Sequence, residues 1–182
     1  MKNFQNVKKV TLLAGAFLCS VTLLSPAFGQ NTPTLSDPEI ASVAVVANQN
    51  DIDFAEIAKQ KSQNPEVLEF ANTMIKDHKT VIDLAVALVT KLHVTPKDNA
   101  VSKKLLSDAE KTKKMLNSKS AKEFDKAYVD NEVAYHKVVI AAVKNVLVPQ
   151  SQNAELKALL QKVVPILEAH LAHAEMTQKK ML

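Results

Sequence analysis

The chain has 182 residues, with 23 Lys+Arg against 19 Asp+Glu, one Cys and two Gly, and every basic residue is a lysine. Three of the 23 basic residues and none of the 19 acids fall in the first 29 positions, which also hold the Cys and both Gly, so the remainder carries a net charge of +1. A nearly neutral chain without arginine excludes a dedicated nucleic-acid binder. Without cysteine or glycine it also excludes a disulfide framework, a thiolate metal site and a phosphate-cradling loop.

In chain order, Lys2, Lys8 and Lys9 precede an apolar run from Val10 to Leu24, closed by Ser25-Pro26-Ala27-Phe28-Gly29. That is the grammar of a secretory signal peptide spanning residues 1–29, cut after Gly29, with Ala27 as the alternative. The run falls short of the ~20 apolar residues of a membrane span, so the mature chain is expected to hold no transmembrane segment. The expected location is periplasmic or secreted, with outer-membrane association left open. Residues 30–36 read as a flexible tether, and residues 37–182 as one domain with its own core.

Asp37-Pro38-Glu39 predicts an N-cap, an N1 proline and a first-turn acid, opening a first helix that runs to about Ser62. Gln63-Asn64-Pro65 breaks it, and a second helix follows from Pro65 to about Leu92, stopping before Val94-Thr95-Pro96. A Lys-rich stretch with Val101, Leu105, Ala109 and Leu116 at helical spacing predicts a shorter connecting helix. Ser120 and Glu123 form a capping box that opens a third long helix, carried to about Leu147. After Val148-Pro149-Gln150-Ser151 a fourth helix runs from about Asn153 to the C-terminus, with a kink expected at Pro165. Nothing alternates with period two. The fold class is therefore all-α, a four-helix bundle with a shorter connecting helix between the second and third long helices.

Placed at 100° per residue, each long helix turns an ionisable side chain toward its apolar stripe. Asp51 lies among Ile40, Ala47, Phe54 and Ala58; His78 lies at the centre of Val67, Ala71, Met74, Val81 and Ala85. Glu132 and His136 fall within Val129, Val139 and Val143, with Asp125 on the same face near the helix start. His170 sits among Leu160, Val163, Leu167 and Ala174, with His173 at the edge. Counted from the turns at ~1.5 Å per residue, Asp51, His78, His136 and His170 reach similar depths. A buried charge must be paired or hold something. These carboxylates and imidazoles suit a divalent transition metal such as zinc, iron or copper, with His78, His136 and His170 as ligands, Glu132 as the principal carboxylate, and Asp51 and Asp77 as supporting groups. Asp77 reads equally as a solvated acid. The alternative is a satisfied hydrogen-bonded core completed by Tyr128 and Tyr135.

Asn64-Pro65-Glu66-Val67, Phe70-Ala71 and Met74-Ile75-Lys76-Asp77-His78 resemble the second-helix signature of the bacterial exported domain-of-unknown-function 4142 family. So do Phe124-Asp125 with Tyr128 and His136, and Pro165-Ile166-Leu167 with His170, in the same order along the chain. The resemblance covers about Ile40 to Met176. The family is often labelled an outer membrane protein and described as ferritin-like, which implies a crossover between the second and third long helices. It implies no particular activity. The di-iron chemistry of ferritins does not carry over, because the residues three before His78, His136 and His170 are Ile75, Val133 and Leu167 rather than Glu. Where this family usually has Glu, the chain has Asp51, whose shorter side chain reduces its reach toward a metal. Three readings follow: a non-enzymatic metal- or ligand-binding bundle, a structural or stress-related envelope protein meeting an envelope partner, and a metal-dependent enzyme. Oligomeric state is not legible.

Overall fold

The computed structural model describes residues 33–181; the expected signal peptide, residues 30–32 of the expected tether and Leu182 lie outside the described residues. The helices are α1 (Asp37–Lys61), α2 (Pro65–Lys91), α3 (Ala100–Ser118), α4 (Ala121–Ala142), a three-residue α5 (Val148–Gln150) and α6 (Ala154–Lys179). A π-helical turn, Val143–Leu147, joins α4 to α5. No strand occurs among the described residues. The four long helices foreseen from the periodicity are α1, α2, α4 and α6, and α3 is the connecting helix. No described helix is long and apolar enough to cross a membrane.

Local chemistry explains most boundaries. Ser120 opens α4 as expected: the Glu123 carboxylate accepts from the Ser120 hydroxyl at 2.6 Å, closing a capping box. The start of α1 differs by one position from the expectation. Ser36, not Asp37, is the N-cap, and the Glu39 carboxylate accepts from the Ser36 N–H at 3.0 Å and its hydroxyl at 2.7 Å. Asp37 is thereby free to accept from the backbone N–H of Gln152 (2.9 Å) and Asn153 (2.8 Å), tying the start of α1 to the start of α6. Leu35, expected within the tether, is buried, and its N–H donates to Gln150 Oε1 at 2.7 Å. With no glycine left to end α2, His93 takes the left-handed conformation at φ 53°. The Lys61 ammonium closes α3 onto α1, donating to the carbonyls of Leu116, Asn117 and Lys119 at 3.3, 2.6 and 3.0 Å. α6 continues through Pro165.

The core divides into two halves. One is rich in aromatic rings, with Phe54, Phe70, Phe124 and Tyr128 packed beside Met74 and Val129. The other is aliphatic, with Ile40, Val43, Val81, Val143, Leu156, Leu160 and Val163. In α1 and α6 the aliphatic positions come first in the chain, and in α2 and α4 the aromatic ones do, so the neighbouring pairs α1–α2, α2–α6, α6–α4 and α4–α1 are all antiparallel. The parallel helices α2 and α4 are joined by α3, which packs along α1. The expected crossover is therefore present. Asp51, His78, His136 and His170 fall at the level where the two halves meet.

Candidate metal centre

Asp51 on α1, His78 on α2, Glu132 and His136 on α4, and His170 on α6 are all at most 4% exposed. The three imidazoles form a compact triangle, with ring centroids 5.8 Å apart for His78–His136, 5.0 Å for His78–His170 and 5.5 Å for His136–His170. Two overlapping groups each bring one ligand atom per residue within 4.8 Å of the others: His78, His136 and His170, and Asp51, Glu132 and His136.

Hydrogen bonds settle which nitrogen of each ring carries its proton. The Asn48 amide donates to the Ala44 carbonyl at 2.7 Å, which turns its oxygen toward His78 Nδ1, also at 2.7 Å. Nδ1 of His78 is therefore the donor. His136 Nδ1 lies 3.0 Å from the Glu132 backbone carbonyl, which can only accept. His170 Nε2 donates to the Asp77 carboxylate at 3.0 Å. Each ring thus anchors its N–H to a neighbouring oxygen and leaves a lone pair on the opposite nitrogen. Those three nitrogens, His78 Nε2, His136 Nε2 and His170 Nδ1, are buried with no hydrogen-bond partner among the described residues. Both Asp51 carboxylate oxygens are in the same condition, and Oδ2 stands 3.4 Å from His78 Nε2 and 3.6 Å from His136 Nε2. Ligands at the 2.0–2.1 Å usual for zinc would, at tetrahedral angles, be spaced about 3.3–3.4 Å apart, close to these two separations.

Burial dominates the electrostatics. It pushes the His78 imidazole well below its ordinary value of 6.5, reinforced by His170 and His136. It lowers His136 to about 4 against the hydrogen bond that its Nδ1–H donates to the Glu132 carbonyl, which favours the charged ring. His170 is lowered as well, and there the Asp77 carboxylate opposes the effect. The same burial raises Asp51 to about 8, and lifts Glu132 well above the usual carboxylate range with help from Asp51. Near neutral pH the protein alone holds three neutral rings and two protonated acids. A protonated Asp51 can donate to only one ring nitrogen at a time, so it does not satisfy all three.

The profile of the domain of unknown function DUF4142 matches residues 24–177. The chain belongs to the DUF4142 family. Its fold is similar to that of CopM in the Cu(II)-bound form, with a TM-score of 0.61 and 18% identity over 80% of this chain and 98% of that one. No curated protein matches the chain.

In this DUF4142 chain the residues foreseen on the four inner faces do converge, but their ranking changes. Asp51, not Glu132, is the carboxylate that stands near two imidazole nitrogens, so its short side chain does reach two rings of the triangle. Glu132 stands behind His136: Oε1 accepts from Asn131 Nδ2 at 3.3 Å, and Oε2 is 3.7 Å from His136 Nδ1. Asp77 crosses from α2 to hold His170 on α6 rather than its sequence neighbour His78. The tyrosines do not complete a hydrogen-bonded core. Tyr128 Oη is buried without a partner among the described residues, and Tyr135 Oη donates to the Ala47 carbonyl at 2.9 Å. Asp125 Oδ1 is also buried and unpartnered, one turn from the start of α4. His173 packs edge-on against Phe70 at 5.0 Å, away from the triangle. Asn48 escapes a search for ionisable groups, although its place three residues before Asp51 puts it on the same side of α1.

Proposed function

We propose that this DUF4142 protein is exported and binds a divalent transition-metal ion through His78 Nε2, His136 Nε2, His170 Nδ1 and the Asp51 carboxylate. One observation carries the reading: three ring nitrogens from three helices are buried without a hydrogen-bond partner among the described residues, each ring is held by an oxygen on its far side, and the three rings bring one nitrogen apiece within 4.8 Å of one another. That pairing of ligand with orienting acceptor is the usual environment of a metal-bound imidazole. The orienting groups are Asn48, the Glu132 carbonyl and Asp77. Three neutral imidazoles and one carboxylate suit zinc(II) and copper(II). The likeness in fold to a protein solved with Cu(II) makes copper the first ion to test. Export rests on the signal-like sequence of residues 1–29.

The test is the metal content of protein purified from the periplasm, together with melting in the presence and absence of the ion. At an ion concentration about 100 times Kd, binding stabilises the native state by about 2.7 kcal/mol. For a domain of this size that corresponds to roughly 5–10 °C. His78→Ala removes the rise, and His93→Gly, remote from the centre, keeps it. Native protein without bound metal, with melting indifferent to copper and zinc, would refute the proposal.

The raised affinity of Asp51 and Glu132 for protons favours a second reading: a purely hydrogen-bonded polar layer in a structural envelope protein. Under that reading Asp51→Asn leaves melting unchanged at neutral pH, and no ion changes it.

A further inference from the structure

The aliphatic half of the core contains a cavity of about 470 Å³. Native cores seldom leave voids larger than a water molecule, whose share of liquid volume is about 30 Å³. The volume lies instead in the range of about 300–1,000 Å³ typical of small-molecule pockets, which are mostly apolar with a few polar groups. All five main helices contribute walls, among them Ala44 on α1, Ala85 on α2, Val101 on α3, Val139 on α4 and Leu160 on α6. Alanines stand where larger side chains would close the space.

A second feature points to the same place. The π-helical turn Val143–Leu147 interrupts α4 at this cavity, and its buried residues Val143, Val146 and Leu147 all line it. Such turns are rare and occur frequently at functional sites. On α2 the lining runs from His78 to Val89, about 16 Å along the helix axis. Spread over that length, the volume averages about 30 Å² in section. This suits a single aliphatic chain better than a fused ring system. Among the described residues the walls contain no Phe and one aromatic ring besides His78, that of Tyr135, and the only formally charged lining residues are Lys104 and Asp108. These two pair with each other and lie toward solvent, so one edge of a space that is aliphatic apart from Asn48, His78 and Tyr135 has a polar, charge-balanced rim.

We propose that the cavity binds one acyl chain of a single-chain lipid, its apolar tail among the valines and leucines and its head group at the Lys104–Asp108 rim. The site adjoins the proposed metal ligands, since His78 and Asn48 are part of its lining. Free fatty acids and lysophospholipids share this chemistry.

The experiment uses the mature full chain with a fluorescent fatty acid, cis-parinaric acid, as probe, in chelator and again with copper. Saturable binding of one probe per chain is expected in both conditions. Ala85→Leu and Ala44→Leu fill the cavity, so each is expected to weaken the probe at least tenfold while melting at or above the parent temperature. Leu84→Ser, which removes an exposed apolar side chain, leaves binding unchanged. Displacement by palmitate or by lysophosphatidylcholine supports the proposal and identifies the source of the chain; displacement by neither overturns it. So does non-saturable binding, loss of binding in Leu84→Ser, or a marked fall in melting temperature for both filling variants, which would mean there is no room to fill. Copper binding is measured separately on Ala85→Leu, and its retention keeps a failure here distinct from failure of the metal centre.

Discussion

Raising the pH from 6.5 to 8 in the presence of chelator is expected to destabilise this protein, unlike one whose acids are paired and ionised. An unfolded Asp ionises near 3.8, whereas burial keeps the Asp51 proton in place up to about 8. Between those values folding must take up a proton, and that becomes harder as pH rises. One proton over 1.5 pH units, at about 1.36 kcal/mol per unit, amounts to about 2 kcal/mol. Glu132 is shifted in the same direction and adds to the loss. The histidines oppose this in part: an unfolded ring is half protonated at its ordinary 6.5 and loses that charge by pH 8, while the buried rings of His78, His136 and His170 resist protonation, so each returns up to about 0.4 kcal/mol. Below 6.5 the same effect grows: His136 resists protonation down to about 4, so the unfolded chain binds more protons and stability falls on acidification. Urea midpoints at the two pH values read the effect, and with a slope of about 2 kcal/mol per M the Asp51 contribution alone is a shift of about 1 M. Saturating metal holds Asp51 ionised and is expected to remove this loss, as is Asp51→Asn without metal. Chelated protein that is as stable at pH 8 as at 6.5 would refute the account of a protonated, buried Asp51.

Three further outcomes are expected. Asn48→Ala and Asp77→Ala each release the far side of one ring, so metal affinity measured against a chromophoric chelator falls about 10- to 100-fold; unchanged affinity would mean that the rings are oriented without them. His93→Gly relieves the left-handed conformation at the end of α2 and raises stability by about 1 kcal/mol in urea titration. Asp37→Ala leaves the N–H groups of Gln152 and Asn153 without their carboxylate acceptor and costs about 1–2 kcal/mol by the same assay; no loss would show that water replaces the carboxylate.

The bundle was legible because its determinants are local. Apolar residues at helical spacing, the Ser120–Glu123 box and the breaks at Asn64-Pro65 and Val94-Thr95-Pro96 each act within a few residues. The shared depth of Asp51, His78, His136 and His170 was legible too, since depth follows from rise per residue and turn position. What could not be read depends on partners distant in sequence. Glu132 and Asp51 both point inward, and only the rotation of α1 against α4 decides which meets the imidazole nitrogens. Asp77 bonds a histidine 93 positions away. The π-helical turn carries no Gly or Pro within Val143–Leu147, and the residues there fit an ordinary helix equally well. The one-position displacement of the first N-cap arises because Ser36 and Asp37 are both good capping residues, and Glu39 is three positions from the first but not from the second.

The polar layer draws one side chain from each of four helices, so an ion bound there would act as a rivet through the whole bundle. Its escape would require a helix to swing away or a path past His78 into the neighbouring cavity, and its exchange rate would follow the breathing of the fold more than the strength of any single bond. Such a centre would keep its ion through brief exposure to a stronger chelator and give it up only when the helices part or that path opens.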